Sequence, residues 1–454
     1  MYLLLKSMPT ERDIIGPQIV VTPPGPKTRE LIQRKSLSFT KINLGRIAIN
    51  RALGALLEDI DGNIYLDFGS DINAVGHNNP KVVSAIRNQI DNMIGASPVL
   101  TLPFIDCAEK LKEMLPGELK KGKIAYATTG SETIDLATRL ARGYTKRKLI
   151  ISFHGCHFGE GTSDCSRLAG DYKPRYKGGL VPLVSETLFA PWPYCYRCPF
   201  GHSLENCNLF CLSYFDEILN TFSPEDIAAV ILEGLPANGG ILIPPLGYIQ
   251  GLRSICNEHG IMFLVDEVFS GFGKTGKFLA IENWNVAPDI VCMGKAMGGG
   301  LPISAVATRD DVIDRCDFLA LGTQGSFSGN IVSCAAAIAT MNVIQAEGLL
   351  EKAFRLGVHM KRRLEELAER HEVIGDTRGI GLINGIELVK DKKKTPATEL
   401  AELILQEAFR RGLLITRCGR YGNVLRMTPH LVTTKEQIDL GLDIFEESMM
   451  RALL

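Results

Sequence analysis

Short apolar runs and amphipathic stretches alternate between about residues 105 and 310. The runs 124–127, 149–153, 228–232, 261–265, 290–293 and 303–307 are almost wholly apolar. That is the pattern of strands buried on both faces of a parallel sheet. Helical spacing at 131–144 and 246–259 lies between them, so the segment predicts an α/β domain. Upstream, 55–58 and 64–68 flank Asp61-Gly62 and read as a β-hairpin. Residues 27–35 and 80–95 carry helical spacing, the second after Asn79-Pro80. Beyond 330 the texture changes. Two helical patterns fill 331–370, short strands are predicted at 381–388 and 424–427, and helices near 396–411 and 434–453. We expect a small domain segment at 1–75, a large α/β domain at 76–330 and a smaller α+β domain at 331–454, with the two ends of the chain packed together.

Composition narrows the functional class. The 454 residues include 50 Lys+Arg and 51 Asp+Glu, a net charge of −1, which excludes a generally basic nucleic-acid binder. No apolar run approaches the length needed to span a bilayer, and the opening Met1–Lys6 lacks the features of a signal peptide. The expectation is a soluble, cytoplasmic protein with no membrane or nucleic-acid partner. The run 390–394, Lys-Asp-Lys-Lys-Lys, reads as a solvated loop.

Four features carry chemistry. The run 261–265 ends in Asp266-Glu267, and ligands of open α/β sheets bind outside the carboxyl ends of strands. The run 290–293 ends in Gly294-Lys295, with Gly298-Gly299-Gly300 close behind. A lysine enclosed by apolar and glycine residues is desolvated, which favours a Schiff-base nucleophile. At 126–133 a strand runs into Gly130-Ser131 and a helix, a local pattern suited to phosphate. At 152–155 an aromatic, Phe153, closes another strand beside His154. One cofactor needs all four: pyridoxal phosphate takes a lysine, an acid at its ring nitrogen, a phosphate cup and a flat apolar partner.

The stretch Leu264-Val265-Asp266-Glu267-Val268-Phe269-Ser270-Gly271-Phe272-Gly273-Lys274-Thr275-Gly276, continuing through Pro288-Asp289 to Gly294-Lys295, resembles the class III (omega) pyridoxal-phosphate aminotransferases of fold type I. The likeness runs from about residue 25 to the end. Within the family it is most similar to archaeal 4-aminobutyrate aminotransferases, a group that also resembles amino-acid racemases. The resemblance implies a large domain with a mostly parallel central sheet and a smaller α+β domain. It also implies transfer of an amino group between an amino acid and a 2-oxo acid, in a homodimer or dimer of dimers with shared active sites. Lys295 corresponds to the Schiff-base lysine and Asp266 to the partner of the pyridine nitrogen. By the same resemblance Val268 is expected under the ring, Phe153 stacked on it with His154 beside it, and Gly130 and Ser131 in the phosphate cup. Glu233 is the family acid near the cofactor. The resemblance further implies that Ser326, where the family usually has Thr, supplies a phosphate hydroxyl across the subunit interface and that Arg426 grips the substrate carboxylate. The alternative is a racemase sharing every cofactor residue but needing a second proton donor. A non-catalytic descendant would have lost Lys295 or Asp266, and both are present.

Departures from the family pattern bear on substrate. Cys156 stands where members acting on 4-aminobutyrate often have Arg, and Phe269 where Gln is usual. Asn238 stands where many members have a Glu that neutralises the carboxylate-binding arginine. The expectation is an Arg426 left available throughout, and a pocket suited to neutral or apolar amino acids. Separately, Cys195, Cys198, Cys207 and Cys211 have the spacing C-x2-C, C-x3-C, which is open to a metal site, to disulfides or to free thiols.

Overall fold

The computed structural model describes residues 15–39, 46–95, 99–159, 170, 186–316 and 325–454. The strands are β1 (Ile49–Leu53), β2 (Leu56–Asp59), β3 (Ile64–Asp67), β4 (Lys123–Ala127), β5 (Leu149–His154), β6 (Thr187–Pro191), β7 (Ile227–Glu233), β8 (Met262–Asp266), β9 (Ile290–Met293), β10 (Ser304–Thr308), β11 (Ile374–Ile380), β12 (Ile383–Leu388), β13 (Leu413–Leu414), β14 (Thr416–Cys418) and β15 (Val424–Met427). The helices are α1 (Pro26–Ser38), α2 (Pro80–Asn92), α3 (Leu102–Met114), α4 (Gly130–Thr145), α5 (Phe210–Phe222), α6 (Tyr248–Glu258), α7 (Asp310–Arg315), α8 (Ile331–Ala346), α9 (Leu349–Arg370), α10 (Thr398–Arg410) and α11 (Lys435–Ala452).

Seven strands form the central sheet in the order β4-β10-β9-β8-β7-β5-β6. The pairs from β9 through β6 are parallel, whereas β10 runs antiparallel to both β9 and β4. Every residue of β7, β8, β9 and β10 is buried, which explains their unbroken apolar sequence. Because β7, β8 and β9 are parallel, Glu233, Asp266 and the turn carrying Lys295 emerge at the same end of the sheet. The sequence pattern misses β1, β6, β11, β13, β14, α3, α5 and α7. Of these, β6 is a half-buried edge strand, so it lacks the full apolar run.

Two smaller sheets flank this one. The hairpin β2–β3 extends to β1 and, through β3, pairs in parallel with β13. The order β11-β12-β15-β14 makes the third, wholly antiparallel. The N-terminal strands therefore join the C-terminal part of the chain. No single helix among the described residues is long and apolar enough to cross a membrane.

The loop after β3 is fastened to β15 by buried polar groups. Lys274, 1% exposed, donates to the carbonyls of Ser70 at 2.5 Å and Thr428 at 3.2 Å. Burial pushes its ammonium down to about 8, against the pull of Asp71 and Asp67. Asp67 meets His77 Nε2 at 2.8 Å and His430 Nε2 at 3.3 Å. The other ring nitrogens face Asn73, through its amide at His77 and its carbonyl at His430. These three side chains converge closely enough to hold a metal ion, but they already satisfy one another and a buried ammonium adjoins them. They act as a hydrogen-bonded hub.

Burial alone would raise the Asp67 carboxyl, yet the bonds from His430 and His77 hold it well below the ordinary carboxylate range. A carboxyl depressed on folding contributes stability that is full above its unfolded value of about 4 and is lost as pH falls towards the folded value. Asp67→Asn should cost on the order of 2 kcal/mol at pH 7. Denaturant unfolding between pH 7 and pH 2 should show the gap from wild type narrowing only below about pH 4. A gap independent of pH would count against the ionised hub.

Candidate active site

A cavity of about 340 Å³ opens at the carboxyl end of the central strands. Its wall includes Asp71, Gly130, Ser131, His157, Glu233, Asn238, Asp266, Val268, Phe269, Lys295 and Arg426. Side chains some 355 positions apart in sequence thus meet in one place.

Asp266 closes β8 and is 6% exposed. Its Oδ1 accepts the Val268 N–H at 2.8 Å, and among the described residues it makes no ion pair. Burial pushes the carboxyl up to about 6, against that bond and the charges of Lys295 and His157. A carboxylate held this way gains stability from a cationic N–H donor in the cavity. Next door, Glu267 is turned away. It accepts from Ser270 Oγ at 2.5 Å and Ile281 N at 2.7 Å, and burial lifts it to about 7. Alternation along a strand separates the two acids: one serves the cavity, the other the loop behind it.

Lys295 follows β9 with φ of +43°, a left-handed conformation uncommon for a side-chain-bearing residue. Such strain concentrates at functional sites. Its Nζ lies 4.9 Å from the Phe269 ring centroid and 3.9 Å from Asp71 Oδ2. The phosphate-type corner is the first turn of α4. Thr129 caps it reciprocally with Glu132, and Gly130 and Ser131 face the cavity. A Cβ at Gly130 would come within 2.8 Å of Val268 Cγ1, so only glycine lets the helix end approach that side chain. Glu233 accepts the His157 N–H at 2.7 Å and the Ala237 N–H at 3.3 Å, fixing two cavity loops.

Arg426 lies on β15 and is nearly buried. Its Nε donates to Thr416 Oγ1 at 2.9 Å, and its guanidinium carbon sits 4.9 Å from the Phe269 ring centroid. Its Nη2 donates to Asp71 Oδ1 at 3.1 Å. The expectation of an Arg426 left available throughout is not met in this structure, because Asp71 occupies one edge of its guanidinium. Asn238 indeed forms no ion pair with it, but Asp71, from the opposite end of the chain, does.

Three further expectations need correction, those for Phe153, His154 and Cys156. Phe153 is fully buried outside the cavity, edge-on to Trp192 at 5.2 Å and stacked on Phe215 at 6.3 Å. His154 stacks on Phe189 at 5.6 Å and lines a neighbouring cavity. In their place His157 and Phe158 face the site. Cys156 is buried away from the cavity and does not shape it, whereas Phe269 does. Ser326 is exposed and does not line its own chain's cavity. Cys195, Cys198, Cys207 and Cys211 are half-buried free thiols.

Residues 40–449 match the family described as aminotransferase class-III. The chain belongs to the class-III aminotransferases. Among relatives of this aminotransferase, a leucine/methionine racemase of Thermococcus litoralis is 37% identical over 93% of the chain and 96% of its own length. A 4-aminobutyrate aminotransferase of Escherichia coli is 35% identical over 92% and 97%. A Bacillus anthracis aminotransferase of known structure superposes with TM-score 0.84 at 30% identity, covering 94% of this chain and 99% of its own. An amine transaminase from an uncultivated Pseudomonas species, solved in its PLP-bound form, gives TM-score 0.84 at 27% identity over 91% and 97%.

The aminotransferase's cofactor is pyridoxal 5′-phosphate. The cavity fits it on two counts: a buried carboxylate in want of a cationic donor, and a helix start that a glycine opens toward the site. Gly130→Ala should weaken cofactor retention severalfold without unfolding the chain. Cofactor content after extensive dialysis, set beside a thermal melt, checks this.

Proposed function

We propose that this aminotransferase moves an amino group between a neutral or apolar amino acid and a 2-oxo acid. The observation that carries the reading is the meeting of Lys295, Asp266, the α4 start and Arg426 around one cavity. When bound, pyridoxal phosphate supplies an aldehyde that takes up the amino group and a ring that accepts electrons released at the substrate Cα. In our reading Asp266 holds the proton on the ring nitrogen. Gly130 and Ser131 would hold the phosphate and Val268 would pack against the ring, while Glu233 holds the surrounding loops. Lys295 would supply the amine for the aldehyde and carry the proton removed from the substrate Cα. Arg426 takes the substrate α-carboxylate through its planar fork. Phe158, Ala237 and Phe269 supply the apolar surface that favours an uncharged side chain.

A racemase is the second reading, favoured by the leucine/methionine racemase and by an alanine/serine racemase of Pyrococcus horikoshii at 34% identity. It needs a second proton-transferring group, for which His157 and Asp71 are the cavity's candidates. A panel of L-amino acids, each incubated with and without a 2-oxo acid, decides. Keto acid in amounts matching the cofactor, turning over only with acceptor, supports amino transfer. D-isomer accumulating without acceptor overturns it. Lys295→Ala should lower either activity by at least about a thousandfold and remove the borohydride-trapped lysine adduct.

We further propose a cytoplasmic homodimer. Cys107, Cys195, Cys198, Cys207, Cys211, Cys256, Cys316 and Cys334 carry free thiols, the state a reducing compartment maintains. Ile94, Val99, Leu100, Leu102 and Phe327 expose large apolar surfaces. Asn330 donates to the Ile94 carbonyl at 3.4 Å, which joins the 325–330 segment to this patch. Exposed apolar area of this kind marks an interface. In such a dimer Ser326 is the hydroxyl offered to the partner's phosphate corner. Leu100→Asp with Phe327→Asp should yield monomers by light scattering, with loss of cofactor from the same fractions. A variant that remains dimeric and loaded would refute this interface.

A further inference from the structure

The sequence leaves Arg426 without its usual family counter-ion, because Asn238 is uncharged. The structure supplies another. Asp71 Oδ1 and Oδ2 lie 3.1 and 3.4 Å from Arg426 Nη2, and Oδ2 lies 3.9 Å from Lys295 Nζ. The two partners differ in freedom. The Arg426 side chain is 8% exposed and held by Thr416 and Phe269, whereas that of Asp71 is 31% exposed at the cavity wall. The backbone beneath Asp71 is fixed, since Lys274 ties the carbonyl of Ser70 to that of Thr428, two residues beyond Arg426. Rotation of one short side chain is therefore the movement available.

Electrostatics gives the pair two useful states. An α-carboxylate arriving at Arg426 competes with Asp71 for the same guanidinium edge, and two carboxylates there repel each other. Asp71 must swing aside. An amine that carries no carboxylate leaves Arg426 uncompensated against Phe269 unless Asp71 stays. A nearly buried charge without a partner is strongly disfavoured. We propose that Asp71 is the specificity-determining counter-ion of Arg426, which lets one cavity accept both α-carboxylate substrates and primary amines with an uncharged group at that position. The inference rests on the transaminase reading of the site and adds to it a substrate class and a residue that governs the choice.

Leucine and 3-methylbutylamine have the same alkyl chain and differ by the carboxylate. Isovalerate, one methylene shorter than leucine without its amine, is a carboxylate with the same branched end and no amino group. The holoenzyme and its Asp71→Asn and Asp71→Glu variants are compared in single half-reactions with each donor, followed by cofactor absorbance, and in calorimetric titrations with isovalerate. Asp71→Asn should bind isovalerate about tenfold more tightly and lower the leucine KM by a similar factor, the size expected when one charge-assisted hydrogen bond no longer has to be displaced. The same variant should lose about tenfold in kcat/KM for 3-methylbutylamine. Asp71→Glu, which keeps the charge, should restore the amine. Equal effects on both donors, or an unchanged isovalerate affinity, overturn the proposal. If the wild type aminates its cofactor with neither donor, the transaminase reading fails, and the isovalerate titration still decides whether Asp71 guards Arg426.

Discussion

The site is organised around the burial of a carboxylate. Asp266 is drawn out of water at the end of β8 because the strand before it is apolar on both faces. The cost of that burial shows in its raised proton affinity, and the neighbouring chain relieves it only in part, through one backbone N–H and more distant positive charge. A group in this condition is poised for a cationic partner, which is what a protonated pyridine nitrogen offers. The parallel alignment of β7, β8 and β9 then follows as a requirement: it brings Glu233 and Lys295 to the same rim.

A second buried cluster fastens the cavity's outer loop to the third sheet. Glu387 on β12 is wholly buried and meets Tyr194, Arg197 and Arg378. Burial would raise its carboxyl, but Arg378 and its other partners hold it below the usual range. Arg378 Nε also donates to the carbonyls of Gly240 at 2.9 Å and Ile241 at 3.1 Å, in the loop that follows Asn238. The loop that includes the cysteines and the loop that lines the substrate side are thereby referred to the same strand. Removing one partner of such a buried cluster leaves the others uncompensated, so the network specifies geometry more than it adds stability.

Much of this was legible from the order of residues. Asp266 and Lys295 could be found because each follows an apolar run, and the end of a buried strand is where a polar residue is conspicuous. Gly130-Ser131 was visible for the same reason at β4. Phe153 was misplaced because strand alternation decides which way its ring points, and Trp192 and Phe215, which claim it, come from distant elements. Asp71 carried no local signal at all. It sits in a polar loop after a hairpin, and its meaning depends on an arginine 355 residues away. The antiparallel direction of β10 was hidden likewise, since an apolar run has the same composition in either sense. Local pattern thus discloses where a buried element stops, while pairings between remote segments appear only in three dimensions.

The rivet formed by Lys274 has a consequence for the life history of the molecule. It joins a carbonyl near the beginning of the chain to one near the end, and Asp71 and Arg426 meet beside it. During synthesis the ribosome releases the central sheet well before β15, so the catalytic hollow has neither its arginine nor its closing clamp until β15 has been made. Contacts between such distant segments are also the slow ones to form. Capture of the vitamin is thus a late event in biogenesis, and a nascent chain truncated ahead of β15 would present the acid and the lysine without the enclosure that makes them useful.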